Sequence, residues 1–167
     1  RPAANLAKEL GSKTEAAFTP SFKEGLALTN GATFSAALLA LAVHDAARIA
    51  DTADVAASLS IEALCGCARA FDSKVHAARG LPGQIDSAAN LRALLKGSPT
   101  VDSSGDVQDP YSLRCAPAVH GAARDAAAYA HFIAELEINA ATDNPLFFPG
   151  PDGAVHSRSP WDFDFQE

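Results

Sequence analysis

Methionine is absent from all 167 residues, and the first residue is Arg1. Either the start is removed by processing or the sequence is a segment of a longer polypeptide. Cysteine is scarce as well. Cys65, Cys67 and Cys115 are three unevenly spaced thiols, which excludes a disulfide framework and points to a reducing, cytoplasmic compartment. Basic residues are outnumbered, 13 Lys and Arg against 20 Asp and Glu, giving a net charge of −7 and a pI of about 5.1. That balance argues against nucleic acid and anionic membrane surfaces as partners. On this reading no apolar run is long enough to span a bilayer, and no basic-then-apolar leader opens the chain. Phosphate loops of the Gly-x-Gly-x-x-Gly or Gly-Lys-Ser/Thr kind are missing, and no internal repeat is visible.

What is present is alanine, leucine and helical spacing. Hydrophobic residues make up 48% and charged residues 20%, enough to bury the core of one ordinary domain. The chain up to about Glu24 reads as a helix end and a loop. Phe34–Phe71 is rich in the strongest helix formers, with Leu38, Leu41, Ala42 and Asp45 at helical spacing. Asp51 and Asp54 suggest a break, after which Ser58 or Ser60 caps a second helix into Phe71. Gly80-Leu81-Pro82-Gly83 signals a loop, and Asn90–Lys96 a helix ending at Gly97. Residues 98–110 are polar and read as a long loop, a frequent carrier of function. A third helix is expected from Pro117 to about Asn139. A small hairpin follows near 146–156, around Pro149-Gly150-Pro151-Asp152-Gly153. The fold class is therefore all-α. Small residues lie nearly all round the two long helices, so oligomerisation or missing chain is expected to cover them.

Few constellations carry chemistry. Cys65-x-Cys67 points its thiols apart if helical, so no metal is expected there. His76, His120 and His131 fall within helical patterns or at their ends, and each reads as a structural histidine. The segment after the polar loop differs. Gln108, Tyr111 and Arg114 recur every third residue, so a helix or turn puts them on one side. A guanidinium beside an amide and a phenol suits a zwitterionic amino acid. Arg grips a carboxylate with two parallel hydrogen bonds, and a phenol exchanges protons when tuned. On composition alone, a helix start with a surface Arg is an equal alternative.

Across these residues the chain resembles the histidine ammonia-lyase family, among the aromatic amino-acid ammonia-lyases and aminomutases. The matching blocks run in family order. They include Lys23 to Gly31, Ser60-Ile61-Glu62-Ala63-Leu64, Ala70-Phe71-Asp72, Pro82-Gly83-Gln84, Asn90-Leu91-Arg92, Val107 to Arg114, His120-Gly121-Ala122 and Asn139 to Leu146. Pro117-x-Val119-His120-Gly121-Ala122 looks more like the histidine enzymes than the phenylalanine ones. The resemblance implies the long-helix bundle of the aspartase/fumarase-like type, here as one partial domain over 1–167. It also implies a homotetramer whose active sites draw on more than one subunit. The implied reaction eliminates ammonia from L-histidine to give urocanate. It needs the electrophile methylidene-imidazolone (MIO), made by cyclising an internal Ala-Ser-Gly. By position, Arg114 would hold the substrate carboxylate. Tyr111 and Gln108 would lie near the amino group and the prosthetic group, and Asn30 close to the electrophile.

The sequence also departs from the family. No Ala-Ser-Gly triplet occurs in it, Ala118 stands where Gln is usual, and residues 157–163 differ from the usual Ser-Gly-Gly-Asn-Phe-His. Phe163 is the loosely aligned candidate for the family's pocket phenylalanine. The resemblance thus implies a middle segment of a lyase, inactive by itself. A phenylalanine or tyrosine ammonia-lyase, a 2,3-aminomutase and a non-catalytic helical scaffold remain alternatives.

Overall fold

The computed structural model describes residues 20–21, 23–142 and 146–158, and these form helices and one hairpin. Helix α1 spans Glu24–Thr29 and helix α2 spans Gly31–Ala63. Asn30 stands between them in extended conformation, and its Oδ1 accepts the Ala32 N–H at 2.9 Å. Asparagine at this place satisfies a donor that the helix itself leaves unpaired. Further on come a 3-10 turn at Ala68–Phe71, α3 at Ser73–Arg79, α4 at Pro82–Leu94, α5 at Tyr111–Arg114 and α6 at Ala116–Asn139. Strands β1, Leu146–Pro149, and β2, Val155–Arg158, pair antiparallel with Leu146 opposite Arg158. The all-α class and the hairpin are as the sequence predicts.

Contacts divide the described residues into two compact units, those within 20–35 and 141–158, and residues 36–140. In the first, the hairpin turns through Gly153 at φ 77°, and the Lys23 ammonium sits 4.9 Å from the Phe147 ring centroid. In the second, Ile61, Phe71, Leu91, Leu95 and Ala116 form the core, with Val101 and Leu113 packed against it.

Three local expectations are corrected. Helix α2 does not break at Asp51 or Asp54: it runs 33 residues, about 50 Å at about 1.5 Å per residue. Ser58 and Ser60 cap nothing, since their hydroxyls donate back to the Val55 and Ala56 carbonyls inside the helix. Gly80-Leu81-Pro82-Gly83 is a junction of two helices rather than a loop. Gly80, at φ 72°, closes α3, and Pro82 opens α4 where its missing N–H costs nothing, so that helix starts well before Asn90.

The buried stripe of α2 is Ala36, Val43, Ala50, Asp54, Ser58 and Ile61, so one narrow face carries its packing, from alanines near its start to the core residue Ile61 near its end. Leu38 and Leu41, the residues whose spacing suggested the helix, are exposed. The reading that no segment suits a bilayer is also corrected. By length and composition alone α2 is long and apolar enough to cross one, although Asp54 on its buried face is held by polar partners.

Candidate active-site segment

The polar loop ends in a cavity. It measures about 220 Å³ and is lined by Cys67, Arg69, Ala70, Val107, Gln108, Asp109 and Arg114. Residues 106–110 have no regular structure, so side chains and backbone from the 66–69 segment fix their path. The buried Asp109 carboxylate accepts the Cys67 N–H at 2.7 Å. The Arg69 guanidinium donates to the Val107 carbonyl at 2.8 Å. Gly66 permits this approach, because a Cβ there would lie 3.0 Å from the Asp109 carboxylate and 3.0 Å from the Ile61 side chain. Burial, and next the adjacent Asp109 charge, push the Cys67 thiol above its ordinary pKa, so this cysteine stays neutral.

The expected Gln–Tyr–Arg face forms only in part. Pro110 starts α5, so Gln108 lies before the helix, and Tyr111 and Arg114 are one turn apart inside it. The Arg114 guanidinium stacks over the Tyr111 ring at 4.0 Å. Gln108 and Arg114 both line the cavity, while Tyr111 is 72% exposed and does not. Arg114 Nε is buried without a hydrogen-bond partner among the described residues. An unpaired buried donor is costly, and Arg124 Nε, in the polar network around Asp54, is in the same state. Asn30 belongs to the other compact unit, where its Oδ1 caps α2. Phe163 lies outside the described residues.

A second polar constellation escaped the sequence reading, which took Asp54 as a helix breaker and saw no role for Arg124. Asp54 is 1% exposed and is the hub. It accepts hydrogen bonds from Ser87 Oγ at 2.6 Å, Asn90 Nδ2 at 2.9 Å and Arg124 Nη2 at 2.6 Å, and pairs with His120 Nδ1 at 2.8 Å. Arg124 also reaches the exposed Asp51 at 2.8 Å. Burial alone would raise the Asp54 carboxyl, but these hydrogen bonds outweigh it and hold the group below its ordinary pKa. The same carboxylates outweigh the effect of burial on Arg124 and raise its pKa. The network ties α2 to α4 and α6. Spacing of Asp54, Ser87 and His120 in sequence gave no signal, because each comes from a different helix.

The structural reading of two histidines holds. His120 serves Asp54. His76 is buried, with Nε2 3.0 Å from the Ala70 carbonyl and Nδ1 2.9 Å from Gln84 Nε2. His131 lies on the α6 surface beside Val43 and Ala47 of α2.

Comparison with known proteins decides the family. Residues 1–163 match the model described as aromatic amino acid lyase. The chain belongs to this family. Among curated relatives, histidine ammonia-lyase of Chloroflexus aurantiacus is 50% identical over 143 residues, covering 84% of this chain and 27% of the relative. Histidine ammonia-lyase 2 of Fusobacterium nucleatum subsp. nucleatum is 53% identical over 137 residues, covering 81% of this chain and 27% of the relative. Histidine ammonia-lyase from Trypanosoma cruzi has the same fold over 95% of this chain, with a TM-score of 0.72 and 41% identity, covering 28% of that structure. This aromatic amino acid lyase chain thus spans about a quarter of the length of the relatives it matches.

Proposed function

We propose that this chain is a histidine ammonia-lyase segment that supplies the carboxylate-binding side of the active site. Arg114, which shares the cavity with Gln108 and can grip a carboxylate, carries the reading. The relatives supply the substrate: they are histidine ammonia-lyases at about half identity. L-Histidine would place its carboxylate against Arg114, and urocanate and ammonia would be the products of the complete enzyme.

The residues fit the methylidene-imidazolone group on chemical grounds. Gln108 and Tyr111 offer an amide and a phenol, neutral groups suited to the carbonyl-bearing ring, and within their own unit they are the residues that would hold it. When bound, that group supplies the electrophile that turns the amine into a better leaving group. The work of this chain is separate. Arg114 orients the carboxylate, Gln108 offers an amide beside it, and the Tyr111 hydroxyl gives or takes a proton. The sequence contains no Ala-Ser-Gly, so the electrophile must come from polypeptide outside these 167 residues. We therefore propose that the chain by itself releases no ammonia from L-histidine.

Association is part of the same proposal. Phe34, Leu41 and Leu59 on α2, and Tyr129, Phe132 and Ile138 on α6, are exposed apolar residues. Such faces support a homo-oligomer of the kind the family resemblance implies. Three free thiols support a cytoplasmic location.

Calorimetric titration of the chain with L-histidine, L-phenylalanine and imidazole tests the site. L-Histidine is expected to bind, imidazole to fail for lack of a carboxylate, and Arg114→Ala to weaken L-histidine about tenfold or more. Equal affinity in Arg114→Ala would remove the carboxylate assignment. Tighter binding of L-phenylalanine would move the substrate to the alternative.

A further inference from the structure

We infer that Arg69 is a positioning residue of the proposed carboxylate site, holding Gln108 at the cavity through the carbonyl of Val107. The inference rests on the site reading above and adds a residue to it.

Gln108 sits in a stretch with no helix or strand, so the backbone on either side must be fixed by something else. The fastening comes from one neighbouring segment. Arg69 donates to the Val107 carbonyl at 2.8 Å, immediately before Gln108. Asp109, immediately after it, accepts the Cys67 N–H at 2.7 Å. Cys67 Sγ lies 3.5 Å from the Asp106 carbonyl. Gln108 is therefore held on both flanks, and Arg69 is the cationic member of the clasp.

Two features make Arg69 more than a surface cation. Its side chain lines the cavity that Gln108 and Arg114 line, although the residue is exposed overall. Its partner is a neutral carbonyl, while the Asp109 carboxylate lines the same cavity. A guanidinium in such a place orients the loop and offsets the Asp109 charge where a ligand carboxylate is expected.

The test uses the 15N-labelled chain, with Arg69→Met and Arg69→Lys variants. Methionine keeps the stem and loses the donor; lysine keeps a charged donor. Arg69→Met is expected to shift or split the Gln108 side-chain amide resonances while the signals of Phe71 and Leu91 in the core stay in place. It is also expected to raise the L-histidine Kd about tenfold. Arg69→Lys should restore most of both. Gln108 resonances that do not move in Arg69→Met would overturn the inference. So would an Arg69→Lys chain as impaired as Arg69→Met, because a positively charged donor would then not be what matters. A wild-type chain that does not respond to L-histidine overturns the carboxylate-site reading instead. The Gln108 resonances then still decide the role of Arg69.

Discussion

At the scale of single residues, Asp54 and Asp51 form a natural contrast. Both accept from Arg124, but Asp54 is 1% exposed and Asp51 is 70% exposed. Removing one member of a buried pair leaves the other charge without compensation, whereas an exposed pair is screened by water. Asp54→Asn is thus expected to lower stability by about 3–5 kcal/mol and Asp51→Asn by about 1 kcal/mol or less, read by urea denaturation. Equal losses would mean that the network is solvated and the burial argument fails. The pH dependence has a definite sign. The Asp54 carboxyl is held below its ordinary value of 3.8 in the fold, so its contribution is present above that pH and is lost as the pH falls below it through the folded pKa. Asp54→Asn should therefore flatten the acid limb of stability against pH below about 3.8.

At the scale of elements, the crossing of α4 and α6 depends on two glycines. A Cβ on Gly83 would collide with the Gly121 carbonyl, and one on Gly121 with the Gln84 backbone nitrogen. Neither neighbour is a flexible side-chain end, so the helices themselves would have to separate. Gly83 N also donates to Asp125 Oδ1 at 2.8 Å, which satisfies a donor in the first turn of α4. Gly121→Ala and Gly83→Ala are each expected to lose about 1–3 kcal/mol by thermal or chemical unfolding. Gly105→Ala meets no neighbour, but it sits at φ 77° and is expected to cost only the backbone strain of that conformation. A Gly121→Ala variant as stable as the parent would show that the crossing is not close-packed. This scale also shows what the sequence made legible. The period of alanine and leucine gave α6 to within a residue, and Gly150 with its flanking prolines gave the hairpin. Continuity of α2 was not legible, because Asp54 looks like a breaker until its partners on α4 and α6 are in place. Likewise Tyr111 and Arg114 were legible as helical neighbours, while Pro110 put Gln108 outside that helix. Arg69 is some forty residues away in sequence, and no periodicity connects it to Gln108.

At the scale of the whole molecule, the question is what covers the outer faces of α2 and α6. Val43 and Ile61 are the large apolar residues in the buried stripe of α2, while Phe34, Leu41 and Leu59 are exposed outside it. Exposed residues of this size on a 33-residue helix are too many for a face meant for water. Three environments satisfy such a face: the rest of a longer polypeptide, other copies of the chain, or lipid, which the length and composition of α2 also suit. Charge separates lipid from the other two. A helix in lipid must neutralise or pair its ionised groups, and α2 carries exposed Asp45, Arg48 and Asp51 among its central turns. A protein interface leaves such groups at its wet rim. The chain is therefore expected to sediment as an oligomer and to stay in solution when mixed with neutral phosphatidylcholine vesicles. Leu41→Glu together with Leu59→Glu should shift it toward monomer, since each buries a charge in the shared face. Their helix content should be unchanged, because neither side chain contributes to the core formed by Ile61, Phe71 and Leu91. Flotation with the vesicles, abolished by the same double substitution, would instead assign the face to lipid.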